Sequence, residues 1–168
     1  MAARRTDGVK RLLHHPLTLI VATVLTTVSA LWLGFRVYEH REAEQRRQDI
    51  LAAARQSALN FTSLDYRHYD RDSAQVLKGA TGDFKEQFAG QTEELTKLVA
   101  QNRSVSEGQV LEAGVVRSDE DSARVLVVAD SKVTNVAVPK GEGRTYRLQL
   151  DLVLEDGRWL TSAVEFVG

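Results

Sequence analysis

Residues 17–35, LTLIVATVLTTVSALWLGF, run for nineteen positions without a charged side chain. At a helical rise of about 1.5 Å per residue such a run reaches roughly 28 Å, close to the hydrocarbon thickness of a bilayer. No other feature limits the chain as tightly, because it divides everything before the run from everything after it. Pro16 fits the first helical turn, where its missing N–H costs nothing. Trp32 and Tyr38 lie toward one end, where interfacial anchors belong. A cleaved signal peptide is the rival reading, with VSA at 28–30 as its cleavage site. The apolar run continues past that site through LWLGF, which a signal peptide does not need. The expectation is an uncleaved single-pass transmembrane helix over 16–37.

Orientation follows from charge. Four basic residues precede the run (Arg4, Arg5, Lys10, Arg11) and four follow it by Arg47 (Arg36, Arg41, Arg46, Arg47), so the positive-inside count is a tie. The first group is opposed only by Asp7, whereas the second is mixed with Glu39, Glu42, Glu44 and Asp49. The expected topology has the short basic tail (1–15) in the cytoplasm and the bulk of the chain outside the inner cell membrane. From Tyr38 onward the chain carries 17 basic and 22 acidic side chains. That excess of acid disfavours binding to a nucleic-acid backbone. The absence of cysteine removes thiolate metal sites, catalytic thiols and disulfides.

Beyond the membrane, no proline or glycine interrupts 35–60, so the helix is free to continue. Residues 38–49 read as a polar helical stalk. Ile50, Ala54, Ala58 and Phe61 then form an apolar stripe at helical spacing, which marks the start of a core and of a domain over 50–168. The stretch FTSLDYRHYDRDSAQVLKGATGDFKEQF (61–88) reads as a corner between helices. Asp70 or Asp72 caps a short helix that Gly79 ends in the left-handed conformation. Asp83, with Glu86 three residues on, opens the next helix as a capping box. Phe84, Phe88, Leu95, Leu98 and Val99 supply that helix with a buried face.

After Asn102 the apolar period changes from helical to alternating. VLEAGVV (110–116), ARVLVVAD (123–130), RTYRLQLDLVLE (144–155) and RWLTSAVEFV (158–167) read as four strands. SDED (118–121) turns the first pair, and NVAVPKGEGR (135–144) is a longer loop. EDGR (155–158) carries Asp-Gly, the favoured two-residue hairpin, and sets Leu154 beside Trp159. Helices followed by a contiguous antiparallel sheet predict an α+β domain, three helices on one face of four strands.

The order of these features resembles the actinobacterial Mce-associated membrane proteins. The resemblance covers 16–167 and rests on Leu64, Asp65 and Tyr66, followed by Asp70, Leu77, Ala80, Thr81, Gly82, Phe84 and Phe88, and on a late DGRWL that includes Trp159. It implies an NTF2-like fold related to VirB8 periplasmic domains. It further implies a non-enzymatic accessory or stabilising subunit of an Mce-type lipid uptake transporter, taking fatty acid or sterol. The implied partners are the membrane, the other transporter subunits, lipid, and further copies in a homo- or hetero-oligomer. The alternative is a VirB8-like scaffold of a conjugation or type IV secretion machine. One departure from that family is the expected cytoplasmic tail, which is short here, without a long disordered extension, and leaves little room for cytoplasmic partners.

A third alternative is an NTF2-like isomerase or dehydratase, which needs a base within reach of a substrate proton. Asp65, Tyr66, His68 and Tyr69 are the local group that could supply it, but the strands contribute no histidine. No catalytic residue, cofactor or metal site is therefore expected: His14 and His15 form an isolated pair, and His68 has no spaced partner. TGDF (81–84) lacks a phosphate-loop lysine. An interaction face is the better candidate. Leu160, Val164 and Phe166 alternate with Trp159 and Ala163, so the last strand reads as apolar on both faces. A sheet covered by helices on one side needs only one such face. The second is free for a subunit, a partner protein or a lipid chain, unless the long loop or the C-terminal tail covers it.

Overall fold

A computed structural model describes residues 7–167, with side chains from 20 onward except those of 34, 37, 39 and 40. The chain divides into two units, Met1–Gln45 and Arg46–Gly168. Helix α1, Asp7–Thr62, begins in the first and ends in the second. In the first unit its large apolar side chains point outward on every side, from Ile20 through Leu25, Leu31 and Phe35, each more than half exposed. The Thr26 and Thr27 hydroxyls donate to the carbonyls of Ala22 and Thr23 at 3.0 and 2.8 Å, so this surface presents little hydrogen-bonding demand. Among the described residues no helix is long and apolar enough to cross a membrane. The expected span at 16–37 reaches outside the residues with described side chains at 16–19, 34 and 37.

In the second unit α1 is followed by β1 (Leu64–Asp65), α2 (Tyr69–Lys78), α3 (Gly82–Asn102) and four long strands. These are β2 (Val105–Ser118), β3 (Ser122–Thr134), β4 (Glu142–Glu155) and β5 (Arg158–Phe166). They form one antiparallel meander in the order β1-β2-β3-β4-β5. Alternation explains its core. Leu148, Leu150 and Leu152 of β4 and Val125 and Val127 of β3 are fully buried, against Ile50, Ala54 and Ala58 of α1. The two alanines let the helix backbone approach the branched side chains of the sheet. The Asp-Gly hairpin forms as expected, with Asp156 at φ 49° and Gly157 at φ 74°, and pairs Leu154 with Trp159.

The sheet has five strands, not four. The additional strand, Leu64–Asp65, pairs with Ser106 and Val105 and lies inside the stretch read as a corner between helices. The loop after β3 is also shorter than expected, because β4 starts at Glu142 and the Asn135 carboxamide closes a turn onto the N–H groups of Ala137 and Val138.

The helix ends differ as well. Neither α2 nor α3 has a side-chain N-cap: His68 and Thr81 occupy those positions, while Asp70, Asp72 and Asp83 lie within first turns. Gly79 ends α2 at φ −93°, outside the left-handed region. The reason is tertiary: the chain goes straight into a bridge with the edge of β5. There Thr161 N–H donates to the Gly79 carbonyl at 2.8 Å and Thr81 N–H donates to the Thr161 carbonyl at 2.9 Å. The Thr81 hydroxyl donates to Glu155, so it does not cap the helix it precedes. Leu98, expected inward, is 52 % exposed.

Strand β5 contains a bulge. Leu152 pairs with Thr161 and Asp151 with Ala163, which leaves Ser162 as the extra residue, its hydroxyl donating to the Asp151 carbonyl at 3.1 Å. The bulge reverses the alternation. Trp159 and Thr161 face the core before it, and Val164 and Phe166 face the core after it, opposite Leu150 and Leu148. Leu160 points the other way. Leu160, Val164 and Phe166 therefore do not form one interaction face. The apparent second apolar face comes from a change of phase within one strand.

Candidate apolar cavity and the corner beside it

The corner at 64–72 keeps Asp65 and His68 side by side and turns Tyr69 away from them. Tyr69 turns inward and is almost fully buried, and that burial pushes its phenol pKa up. His68 turns outward, with over half of its side chain exposed. The Asp65 carboxylate is held by Arg67, whose guanidinium donates at 2.7 to 3.1 Å and whose backbone N–H donates at 2.9 Å. Those bonds hold its carboxyl far below the usual carboxylate range. The guanidinium also lies 5.8 Å from the Tyr66 ring centroid. Asp72 accepts the Asp65 N–H at 3.0 Å with one oxygen and the Arg71 guanidinium with the other. The His68 Nδ1 lies 3.6 Å from the Asp65 carboxylate, so Asp65, Arg67 and His68 cluster on the outer side of the corner while Tyr69 faces inward.

Behind this corner lies a cavity of about 260 Å³. The end of α1 supplies Phe61 and Thr62, β1 supplies Leu64, and α2 supplies Tyr69 and Val76. Phe88, Leu95 and Val99 of α3 roof it, and Ser106, Tyr146 and Phe166 come from the sheet. The Phe166 ring lies 6.1 Å from both the Phe61 and the Tyr146 rings, so three aromatics meet at one end. None of the residues of α3 is fully buried. No carboxylate, imidazole or amine enters the wall. Such a site can desolvate and hold an apolar group.

Of the residues singled out in the sequence, Phe61, Leu64, Tyr69, Phe88, Leu95, Val99 and Phe166 come together at this cavity. Phe84 stacks on Phe88 at 6.1 Å, Gly82 opens α3 at φ 55°, and Asp70 is exposed in the first turn of α2. Trp159 and Leu160 lie elsewhere, lining a polar cleft with Lys78, Arg158, Gln56 and Gln75. Thr62, Val76, Ser106 and Tyr146 are wall residues that the sequence did not single out. Of these, Tyr146 carries a signal as the first position of the inward alternation in β4. Among the described residues no cluster of histidine and carboxylates has the spacing to hold a metal ion.

The chain matches the family described as "Uncharacterized protein Rv1363c/MT1408-like" over residues 13–168. The chain belongs to this family. An Rv1363c-like relative from Mycobacterium tuberculosis, "Uncharacterized protein Rv1363c", is 40 % identical over 137 residues, which is 80 % of this chain and 52 % of the relative. The chain thus spans about half the length of that relative. Among solved structures, this Rv1363c-like chain is similar to an IcmL-like type IV secretion system protein from Legionella pneumophila, with a TM-score of 0.59 at 12 % identity over 72 % of this chain and 91 % of that one. It is also similar to the periplasmic domain of DotI (TM-score 0.59, 12 % identity, 70 % and 92 % covered). CagV, a VirB8 homologue of the Helicobacter pylori type IV secretion system, is a third (TM-score 0.55, 8 % identity, 71 % and 97 % covered). At such identities the likeness establishes the fold alone: an α+β fold resembling that of VirB8-like domains.

Proposed function

We propose that this chain is a membrane-anchored, non-enzymatic subunit that stabilises an Mce-type lipid uptake transporter, with its VirB8-like domain on the extracytoplasmic side. The observation that carries the reading is the pairing of that domain with a helix whose apolar side chains face outward on every side. Such a surface is costly in water and suits hydrocarbon, and threonines bonded to their own helix suit it further. The DotI domain with the same fold is periplasmic, which supports the same side for this one. A wall without ionisable acid–base groups other than tyrosine supports holding over turnover.

A second reading is a scaffold of a conjugation or secretion machine. The fold shared with IcmL-like and CagV proteins favours it. Affinity purification of the full chain from membranes in mild detergent separates the two. Recovery of Mce subunits, together with lower lipid uptake on deletion, supports the first. Recovery of secretion ATPases would move the assignment to the second.

A further inference from the structure

We propose that the cavity under α3 receives the terminal segment of one unbranched hydrocarbon chain. This deepens the transporter reading, on which its physiological meaning rests, but the geometry stands by itself. Protein interiors are packed as densely as organic crystals, and voids much larger than a water molecule are few. Here about 260 Å³ is left open between Phe88, Leu95 and Val99 on one side and Phe61, Val76 and Tyr146 on the other. The helix that roofs the space buries none of its residues fully, so its apolar stripe is directed at a volume the protein does not fill.

The wall also specifies what belongs there. Two of its hydroxyls already have partners: Thr62 donates to the Ala58 carbonyl at 2.8 Å, and Ser106 and Ser131 share a bond at 3.2 Å; the Tyr69 and Tyr146 phenols are the other two in the wall. Among the described residues no buried side-chain nitrogen or oxygen lacks a partner. A charged guest would lose its water with no charged side chain in the wall to replace it. A hydrocarbon loses nothing and gains by leaving water. A methylene is close in size to a water molecule, so at ~30 Å³ each the space takes about eight or nine of them. The fused rings of a sterol are too large and too rigid for it. At the end of the cavity the Phe166 ring is 63 % exposed while touching Phe61 and Tyr146, which suits a mouth better than a seal.

The test uses the full chain in phosphatidylcholine vesicles, without transporter subunits, so that its failure is separable from failure of the proposed function. The probes are a fatty acid with a diazirine near its terminal carbon, a phosphatidylcholine carrying the same tail, and a diazirine sterol. After illumination, labels are mapped by mass spectrometry. Labelling of 82–102 and of the Phe166 peptide is expected with one or both tail probes, and the probe that works tells whether a free acid or a phospholipid is the source. Val99→Trp should fill the space and lower that label at least fivefold, whereas Leu98→Trp, on the exposed face of the same helix, should leave it unchanged. If Val99→Trp does not fold, excess unlabelled decanoate should suppress the label in the native chain. Labelling confined to the N-terminal helix, labelling indifferent to Val99→Trp or to decanoate, or labelling of the cavity by the sterol would each overturn the proposal.

Discussion

The Ser131 hydroxyl donates a hydrogen bond to the Thr62 carbonyl at 3.1 Å, joining the last residue of α1 to β3 across 69 positions of sequence. A helix leaves its last carbonyls without intrahelical partners, and burial makes that costly. Ser131 and Thr62 are 2 % and 5 % exposed, so water does not serve them. Ser63 adds a second tie, accepting the Gly108 N–H at 3.1 Å. The helix end lies so close to β2 that a Cβ on Gly108 would collide with the Thr62 hydroxyl.

Two substitutions follow from that contact. Ser131→Ala should lower unfolding free energy by about 1–2 kcal/mol, as a buried acceptor loses its partner. Gly108→Ala should cost about 1–3 kcal/mol through overpacking against Thr62. Denaturant titration of both variants checks the pair. A neutral Gly108→Ala would mean that the helix end does not sit against β2.

The cross-strand pair Arg124–Asp151 predicts the response to acid. Its two bonds, each 2.7 Å, hold the Asp151 carboxyl below its ordinary value of 3.8. A lowered folded-state pKa gives stability that is present above the ordinary value and disappears as pH falls through the folded one. Asp65, held down by Arg67, acts with the same sign. The thermal midpoint should therefore fall as pH drops below about 4. Asp151→Asn should be less stable at pH 7 and should lose less on acidification. An equal acid loss in the variant would remove this pair as a source.

At the corner, the aspartates should rank differently from what helix capping alone suggests. Asp72 accepts the Asp65 N–H, tying α2 to β1, whereas Asp83 makes no cap bond and is exposed. Asp72→Ala should cost about 1–2 kcal/mol for the lost charged hydrogen bond. Asp83→Ala should cost about 0.5 kcal/mol, the share of one exposed charge near a helix N-terminus. Urea unfolding of both variants gives the order, and a larger loss at Asp83 would contradict the geometry.

Local periodicity made much of this fold legible. Leu148, Leu150 and Leu152 alternate without interruption, Asp156-Gly157 turns where such a pair should, and the stripe of Ile50, Ala54, Ala58 and Phe61 is buried at its first three positions and half-buried at Phe61. Strand β1 was hidden because it has two residues and its partners lie some forty positions away. The helix ends were misread because Thr161 and Glu155, remote in sequence, decide where Gly79 and Thr81 direct their polar groups. The cavity was illegible for a related reason: its wall comes from three helices and four strands, and no single segment carries a pattern for it.

The bulge at Ser162 gives the sharpest test of how β5 is read. Deleting Ser162 would remove the extra residue and leave strict alternation, with Val164 and Phe166 still opposite Leu150 and Leu148 on the core face. Val164 packs on the core, and Phe166 touches Phe61 and Tyr146, so both would keep their apolar contacts. The deletion should therefore cost about 1 kcal/mol, the share of the lost bond to the Asp151 carbonyl. Ser162→Ala keeps the extra residue and loses the same bond, so it should cost about 1 kcal/mol as well. Circular dichroism melts of the two variants against the parent chain compare them. If the deletion cost at least about 2 kcal/mol more than the substitution, as burial of a side chain is worth, it would have flipped Val164 and Phe166. In that case β5 would run without a bulge, and Leu160, Val164 and Phe166 would share one face after all.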